Sequence, residues 1–190
     1  MQANPGVGLA DVRDALLALP HPFTRAAVHD VARDLRLNAA DLRGCLNFSP
    51  GAYTRTRWYA GDRFEILVLC WLPGQASPIH DHARSICTMS IVQGVCRTEM
   101  FEVADGRPSE SFHHGESAPL TATGIEECGA GRVITVEGGD IHRVGCPSDA
   151  AEPLVTVHFY LPPIVEMRCY DAATGQCRMS RPETLSPAFA

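Results

Sequence analysis

The sequence contains no lysine. All sixteen of its basic residues are arginine, set against 22 acidic ones, for a net charge of −6. A chain of that sign lacks the basic field that phosphate backbones and anionic lipids attract, which argues against nucleic-acid and membrane partners. The arginines are scattered, so their exclusive use reads as compositional habit. No apolar run approaches the roughly 20 residues needed to span a bilayer. The eight cysteines (45, 70, 87, 96, 128, 146, 169 and 177) form no C-x-x-C and no regular spacing, which removes the common zinc and dithiol frameworks. The start, MQANPGVGLADVRD, has neither a basic segment nor a long apolar one. The expectation is therefore a cytoplasmic chain with reduced thiols, in which Cys45, Cys70, Cys96 and Cys128 act as small apolar residues. There is no repeat and no low-complexity tract. What remains is 190 residues, 45% hydrophobic and 20% charged, the size and composition of one globular domain. A small molecule is the expected partner, and the oligomeric state, monomer or weak dimer, is left open.

The first part of the chain has helical spacing. Leu9, Val12, Leu16 and Leu17 fall on one face before Pro20, and Phe23, Ala27, Val31 and Leu35 continue the pattern. Asn38 is a candidate cap for a short third helix that ends near Gly44. Beyond residue 50 the apolar runs shorten and glycine turns multiply. Strands are expected at 53–59, 64–72, 78–82, 86–93, 95–103, 132–137 and 153–161. Many short strands with glycine turns predict an antiparallel sandwich or barrel, a mainly β fold. The expected layout is a helical cap over 1–45, a barrel over 46–178 and an irregular tail over 179–190.

Within PIHDHARSICTMSIVQG, His80 and His82 stand two apart. On a strand, residues i and i+2 share a face, so both can reach one ion. Alone, the pair is a weak signal, and two polar residues on a half-exposed strand is the plainer reading. A third histidine, His142, follows a Gly-Gly-Asp turn in GRVITVEGGDIHRVGC. Gly74, five residues, His80, one, His82, four, Cys87, six, Gly94 resembles the first cupin motif. Gly131, five, Glu137, one, Gly139, two, His142, three, Cys146 resembles the second. The resemblance implies a double-stranded β-helix, or jelly-roll barrel, with N-terminal helices. Cys87 stands where most metal-binding cupins carry a glutamate ligand. Three neutral imidazoles without a carboxylate leave a ferrous ion its full charge and open positions, which suits an anionic chelating substrate. Zinc with three histidines and a water is the alternative.

In LVTVHFYLPP, Thr156, His158 and Tyr160 alternate and so share one strand face. Such a polar row faces either the site or solvent. Together with YTR at 53–55, LCW at 69–71, IHDH at 79–82 and IHRV at 141–144, HFYLPP at 158–163 resembles the cysteine dioxygenases, thiol dioxygenases of the cupin superfamily. The resemblance runs from about Leu42 to about Asp171. It implies Fe(2+) held by His80, His82 and His142. It implies that Arg55, with Tyr53 beside it, grips a substrate carboxylate, and that Tyr160, backed by His158 and Thr156, lies over the reacting groups. Thr156 replaces the family's usual serine and keeps the hydroxyl. Cys87 matches the cysteine that one branch of the family joins to the tyrosine by a thioether bond; a turn or bulge after His82 must aim it inward. The implied reaction is oxidation of L-cysteine by dioxygen to cysteine sulfinic acid. Arg57 and Arg168 are further candidates for the carboxylate, and a late arginine such as Arg168 would point to 3-mercaptopropionate instead. A non-catalytic metal-binding cupin and a zinc hydrolase are the rival readings. His21, His29, His113 and His114 are expected to face solvent.

Overall fold

The structure, a computed structural model, describes residues 8–187. The expectations for the first seven and last three residues lie outside them. Helix α1 (Leu9–Ala18) buries Leu9, Val12 and Leu16, while Leu17 is exposed, so its stripe is narrower than expected. In α2 (Arg25–Asp34) the deepest contacts are Val28 and Ala32, with Phe23, Val31 and Leu35 partly buried beside them. Thr24 caps α2 by accepting from the Ala27 amide. Asn38 caps as expected, accepting from Ala40 and Asp41, but the turn it starts, Ala39–Cys45, is a 3-10 helix.

Among the described residues eleven strands follow: β1 (Thr54–Ala60), β2 (Glu65–Trp71), β3 (Ile79–His80), β4 (Ile86–Gln93), β5 (Val95–Val103), β6 (Leu120–Gly129), β7 (Val133–Val136), β8 (Ile141–Gly145), β9 (Leu154–Leu161), β10 (Met167–Tyr170) and β11 (Cys177–Ser180). They form two antiparallel sheets, one in the order β1-β2-β9-β4-β7 and the other β11-β10-β3-β8-β5-β6. This is the expected mainly β cupin, with its helices at the N-terminal end.

Strands β2 and β9 are buried along their whole length. Ile66, Val68, Val155, Val157 and Phe159 pack outward against α1 and α2, whereas Leu67, Leu69, Trp71 and Tyr160 point into the barrel. The helices thus cover one sheet face, which is why these two strands read as nearly continuous apolar runs. It also decides the side on which the polar residues of β9 lie.

Four strands were not expected, and a fifth is shorter than expected. β6 was not foreseen because most of its residues are exposed, leaving no alternation to read. β8, β10 and β11 are only four or five residues long. The expected irregular tail therefore begins as β11, paired with β10 through Ser180. The expected strand at 78–82 shrinks to Ile79–His80, so His82 lies in a loop. All eight cysteines are buried and free.

Candidate metal centre and active site

His80 ends β3 directly opposite His142 on β8. His82 is brought alongside by the loop rather than by strand parity. Its amide donates to the Gly138 carbonyl at 3.0 Å, and Ala83 adopts a positive φ of 53°. This approach needs glycine at 138, since a Cβ there would lie 2.1 Å from the Ala83 carbonyl oxygen. The same bend turns the chain so that Cys87, one residue into β4, faces the barrel interior. Between the two histidines, Asp81 is fully buried and points away from them. It accepts from the amides of Ala83 (3.1 Å) and Arg168 (3.2 Å) and from the Tyr170 hydroxyl (3.2 Å). Asp81 anchors the loop; its signal in the sequence was an acid with the opposite parity to two flanking ligand candidates.

The three imidazole centroids are 4.8–4.9 Å apart, and one ring nitrogen from each can be drawn from a set lying within 4.8 Å. All three side chains are buried. The Nδ1–H of His80 donates to the Pro78 carbonyl at 3.0 Å, which leaves its Nε2 lone pair free. The Nδ1 atoms of His82 and His142 are buried without a partner. Burial, followed by the charge of Arg55, brings His80 down to about 4 against the opposing pull of the Pro78 carbonyl. Burial and the neighbouring imidazoles hold His82 and His142 well below the usual range. Three neutral, converging imidazoles with unpaired nitrogens fit a bound metal ion. Among the described residues, no carboxylate joins them in the cluster.

The polar row of β9 turns inward. The Trp71 indole N–H donates to Thr156 Oγ1 at 3.0 Å, Thr156 Oγ1 lies 2.9 Å from His158 Nε2, and His158 Nδ1 lies 3.2 Å from the Tyr160 hydroxyl. An indole can only donate. The Thr156 proton is thus left for His158 Nε2, and His158 Nδ1–H for the tyrosine oxygen, so the Tyr160 proton is free to face the site. Burial and then Arg55 bring His158 to about 3, consistent with a neutral ring. Trp71 had no assigned role in the sequence, although a buried indole needs an acceptor; it also stacks on Tyr53 with centroids 4.2 Å apart. Cys87 pairs across the β4–β9 ladder with Tyr160, and its sulfur lies 3.8 Å from His158 Nδ1. Burial pushes the Cys87 thiol up to about 12 and Tyr160 well above its usual range.

Arg55, on β1, is 8% exposed; its guanidinium carbon lies 5.8 Å from the centre of the Tyr160 ring, and its Nε has no partner. The other two candidate arginines are occupied. Arg57 lies 3.1 Å from buried Glu65, whose other oxygen accepts from the Ile164 amide. That contact is a charge pairing without hydrogen-bond alignment, as the Arg57 Nε is otherwise unpartnered. Arg168 donates to the carbonyls of Phe112 and Glu110 and lies 3.5 Å from Asp81. A cavity of about 410 Å³ reaches Tyr53, Arg55, Pro78 and Met167, but none of the three histidines lines it. Another, of about 350 Å³, lies beside the Gly139–Asp140 turn and touches none of these residues. His21, His113 and His114 are exposed, whereas His29 is half-buried against Thr135 Oγ1 at 3.0 Å.

The profile of the family described as cysteine dioxygenase type I matches residues 21–173. The chain belongs to the cysteine dioxygenase type I family. Among curated relatives, it is similar to cysteine dioxygenase type 1 of Danio rerio, 28% identical over 78% of this chain and 70% of that protein. It is also similar to cysteine dioxygenase type 1 of Rattus norvegicus, 30% identical over 73% of this chain and 65% of that protein. The human protein is 30% identical over 67% of this chain. The matches span about 60–70% of the length of these cysteine dioxygenases. Among solved structures, the chain is similar to a conserved protein with a double-stranded β-helix domain from Klebsiella pneumoniae, 15% identical over 75% of this chain and 89% of that one, with a TM-score of 0.48. A score below 0.5 adds nothing to the fold described above. The family profile covers the three histidines, Arg55, Cys87 and the β9 row.

Proposed function

We propose that the protein is an iron-dependent thiol dioxygenase that oxidises L-cysteine with dioxygen to cysteine sulfinic acid, with His80, His82 and His142 as the metal ligands. The observation that carries this reading is the convergence of three neutral histidines, with no carboxylate in the cluster among the described residues, beside a buried arginine whose Nε makes no hydrogen bond. A ferrous ion held there would supply the redox centre through which dioxygen reacts with a thiolate. Family membership supports the class of chemistry.

The side chains have distinct tasks in this reading. Arg55 takes the carboxylate of the thiol, its planar fork matching a carboxylate bidentately. Tyr53, stacked on Trp71, walls the same side. Fixing the carboxylate fixes the sulfur beside the three histidines, which is catalysis by positioning. Tyr160 donates its hydroxyl proton into the site, while His158 and Thr156 set the direction of that proton through the chain ending at Trp71. With the Cys87 thiol pushed up to about 12 and burial holding Tyr160 well above its usual range, neither group serves as a base near neutral pH. Cys87 is instead the candidate for a thioether bond to Tyr160, formed when the pair loses two hydrogens to dioxygen in a side reaction. The engagement of Arg168 by Asp81, Glu110 and Phe112 favours L-cysteine over 3-mercaptopropionate, because Arg55 is then the arginine left for a carboxylate.

Metal analysis combined with oxygen uptake over L-cysteine, 3-mercaptopropionate and cysteamine tests the proposal. Iron retention and uptake highest with L-cysteine are expected. His80→Ala, His82→Ala and His142→Ala should each lose bound iron, and full occupancy in any one removes that residue from the ligand set. Zinc retention with no oxygen uptake would favour the hydrolase reading.

A further inference from the structure

Strands β1 and β11 are the edge strands of the two sheets, and the chain after β11 crosses from one to the other. Leu185 forms a parallel bridge to Thr56: its amide donates to the Arg55 carbonyl at 2.7 Å, and the Arg57 amide donates to the Leu185 carbonyl at 2.9 Å. The crossing segment closes the side of the barrel on which Arg55 lies. The cavity of about 410 Å³ has Tyr53 and Arg55 on its inner side and Pro182, Glu183, Thr184 and Leu185 on its outer side. The histidines and Tyr160 are no more than 5% exposed, so a thiol reaching them needs an approach, and this is the cavity that borders the buried arginine.

The attachment of the crossing segment is slight. Leu185 is 42% exposed. Among the described residues, no side-chain hydrogen bond joins 182–187 to the barrel, and Arg181 makes only an exposed pairing with Glu166 at 3.6 Å. Few buried contacts and edge-strand hydrogen bonds are the conditions for local opening well below the free energy of global unfolding. The segment also lies beyond residue 173, where the family match ends. This part of the wall is thus specified by residues outside the shared profile.

We propose that residues 181–185 form a hinged outer wall over the approach to Arg55, and that this wall decides by size which carboxylate thiols enter. The proposal rests on the thiol dioxygenase reading for the identity of the ligand, though not for the motion of the wall. Amide exchange of the iron-loaded protein tests the motion without turnover. The Arg57 amide, bonded to Leu185, should exchange faster than the amides of β2 and β9, and Leu185→Pro, which removes the Leu185 N–H donor, should speed it by about fivefold, the population change expected from one lost hydrogen bond. Size selection is read from oxygen uptake with L-cysteine and from inhibition of that uptake by the bulkier γ-glutamylcysteine. Leu185→Pro should lower the inhibition constant by a similar factor with kcat for L-cysteine unchanged. Thr184→Trp, which fills the outer side, should raise KM for L-cysteine without changing kcat.

Exchange of the Arg57 amide only at the rate of the β2 and β9 amides in the wild type would overturn the wall. Unchanged KM and inhibition constants in both variants would also overturn it. If Leu185→Pro fails to fold, the wild-type exchange and Thr184→Trp still decide. A wild type that oxidises no thiol would overturn the functional reading, and the exchange measurement would judge the motion separately.

Discussion

Replacing Gly138 by alanine tests how the loop delivers His82 to the site. The added Cβ would lie 2.1 Å from the Ala83 carbonyl oxygen, 2.9 Å from its carbon and 3.1 Å from the Arg84 Cα. Comfortable separation between such atoms is about 3.5 Å, so the two backbones must part by roughly 1.4 Å. Neither can yield as a side chain would. Ala83 is already at a φ of 53°, and the loop is pinned by the Asp81 hydrogen bonds. The displaced point is also where the His82 amide meets the Gly138 carbonyl. The expected loss is about 1–3 kcal/mol of stability, as for other overpacked sites. A ligand support displaced by that distance should weaken iron binding by about 10- to 100-fold. Gly139→Ala is the internal control, because its Cβ would meet the Glu110 Oε1 at 2.9 Å, the end of an exposed side chain that can swing away. That variant should stay within about 0.5 kcal/mol of wild type. Denaturant unfolding of the metal-free proteins and iron titration measure both quantities. Wild-type stability and affinity in Gly138→Ala, or equal damage in Gly139→Ala, would refute the reasoning.

Three other outcomes are expected. Arg55→Ala should lose about 2–5 kcal/mol of transition-state binding for carboxylate thiols, seen in kcat/KM, and much less for cysteamine; equal losses would make Arg55 structural. Incubation with iron, thiol and air should build a species lighter by two hydrogens in intact-mass analysis, absent from Cys87→Gly, which should retain turnover; a single unchanged wild-type mass after many turnovers removes the thioether. In the metal-free protein, His80 at about 4 and His158 at about 3 bind protons less readily than the same residues unfolded, near about 6.5. The unfolded chain therefore takes up more protons as pH falls below about 6.5, and stability should drop by about 1.4 kcal/mol per pH unit for each such histidine. Chemical unfolding between about pH 6.5 and 5, above the carboxylate range, should show this slope, and a flat profile would contradict the neutral, buried assignment.

The sequence carried the residues whose spacing is local. The H-x-H pair, the glycine turns and the Thr156-His158-Tyr160 alternation are short-range periodicities, and the strands that bear the row formed where they were expected. Where a pattern was absent, the element was not legible: β6 is exposed on most of its length and β10 and β11 are too short to show a period. His82 was correctly grouped with His80 for a reason that does not hold, since it leaves the strand and is carried by the Gly138 contact. The family resemblance named Arg55 ahead of Arg57 and Arg168 for the carboxylate, but no pattern in the residues themselves separates the three. Each is an arginine near a turn or strand, and only the packed structure shows that Glu65 holds one, that Asp81 and two carbonyls hold another, and that Arg55 alone of the three remains buried and open to the cavity. The roles of Trp71, Asp81 and the 181–185 crossing belong to the tertiary structure for the same reason. Chain periodicity fixes which face a side chain takes on its own strand. Which partner meets that face across tens of residues depends on how the two sheets and their edges come together.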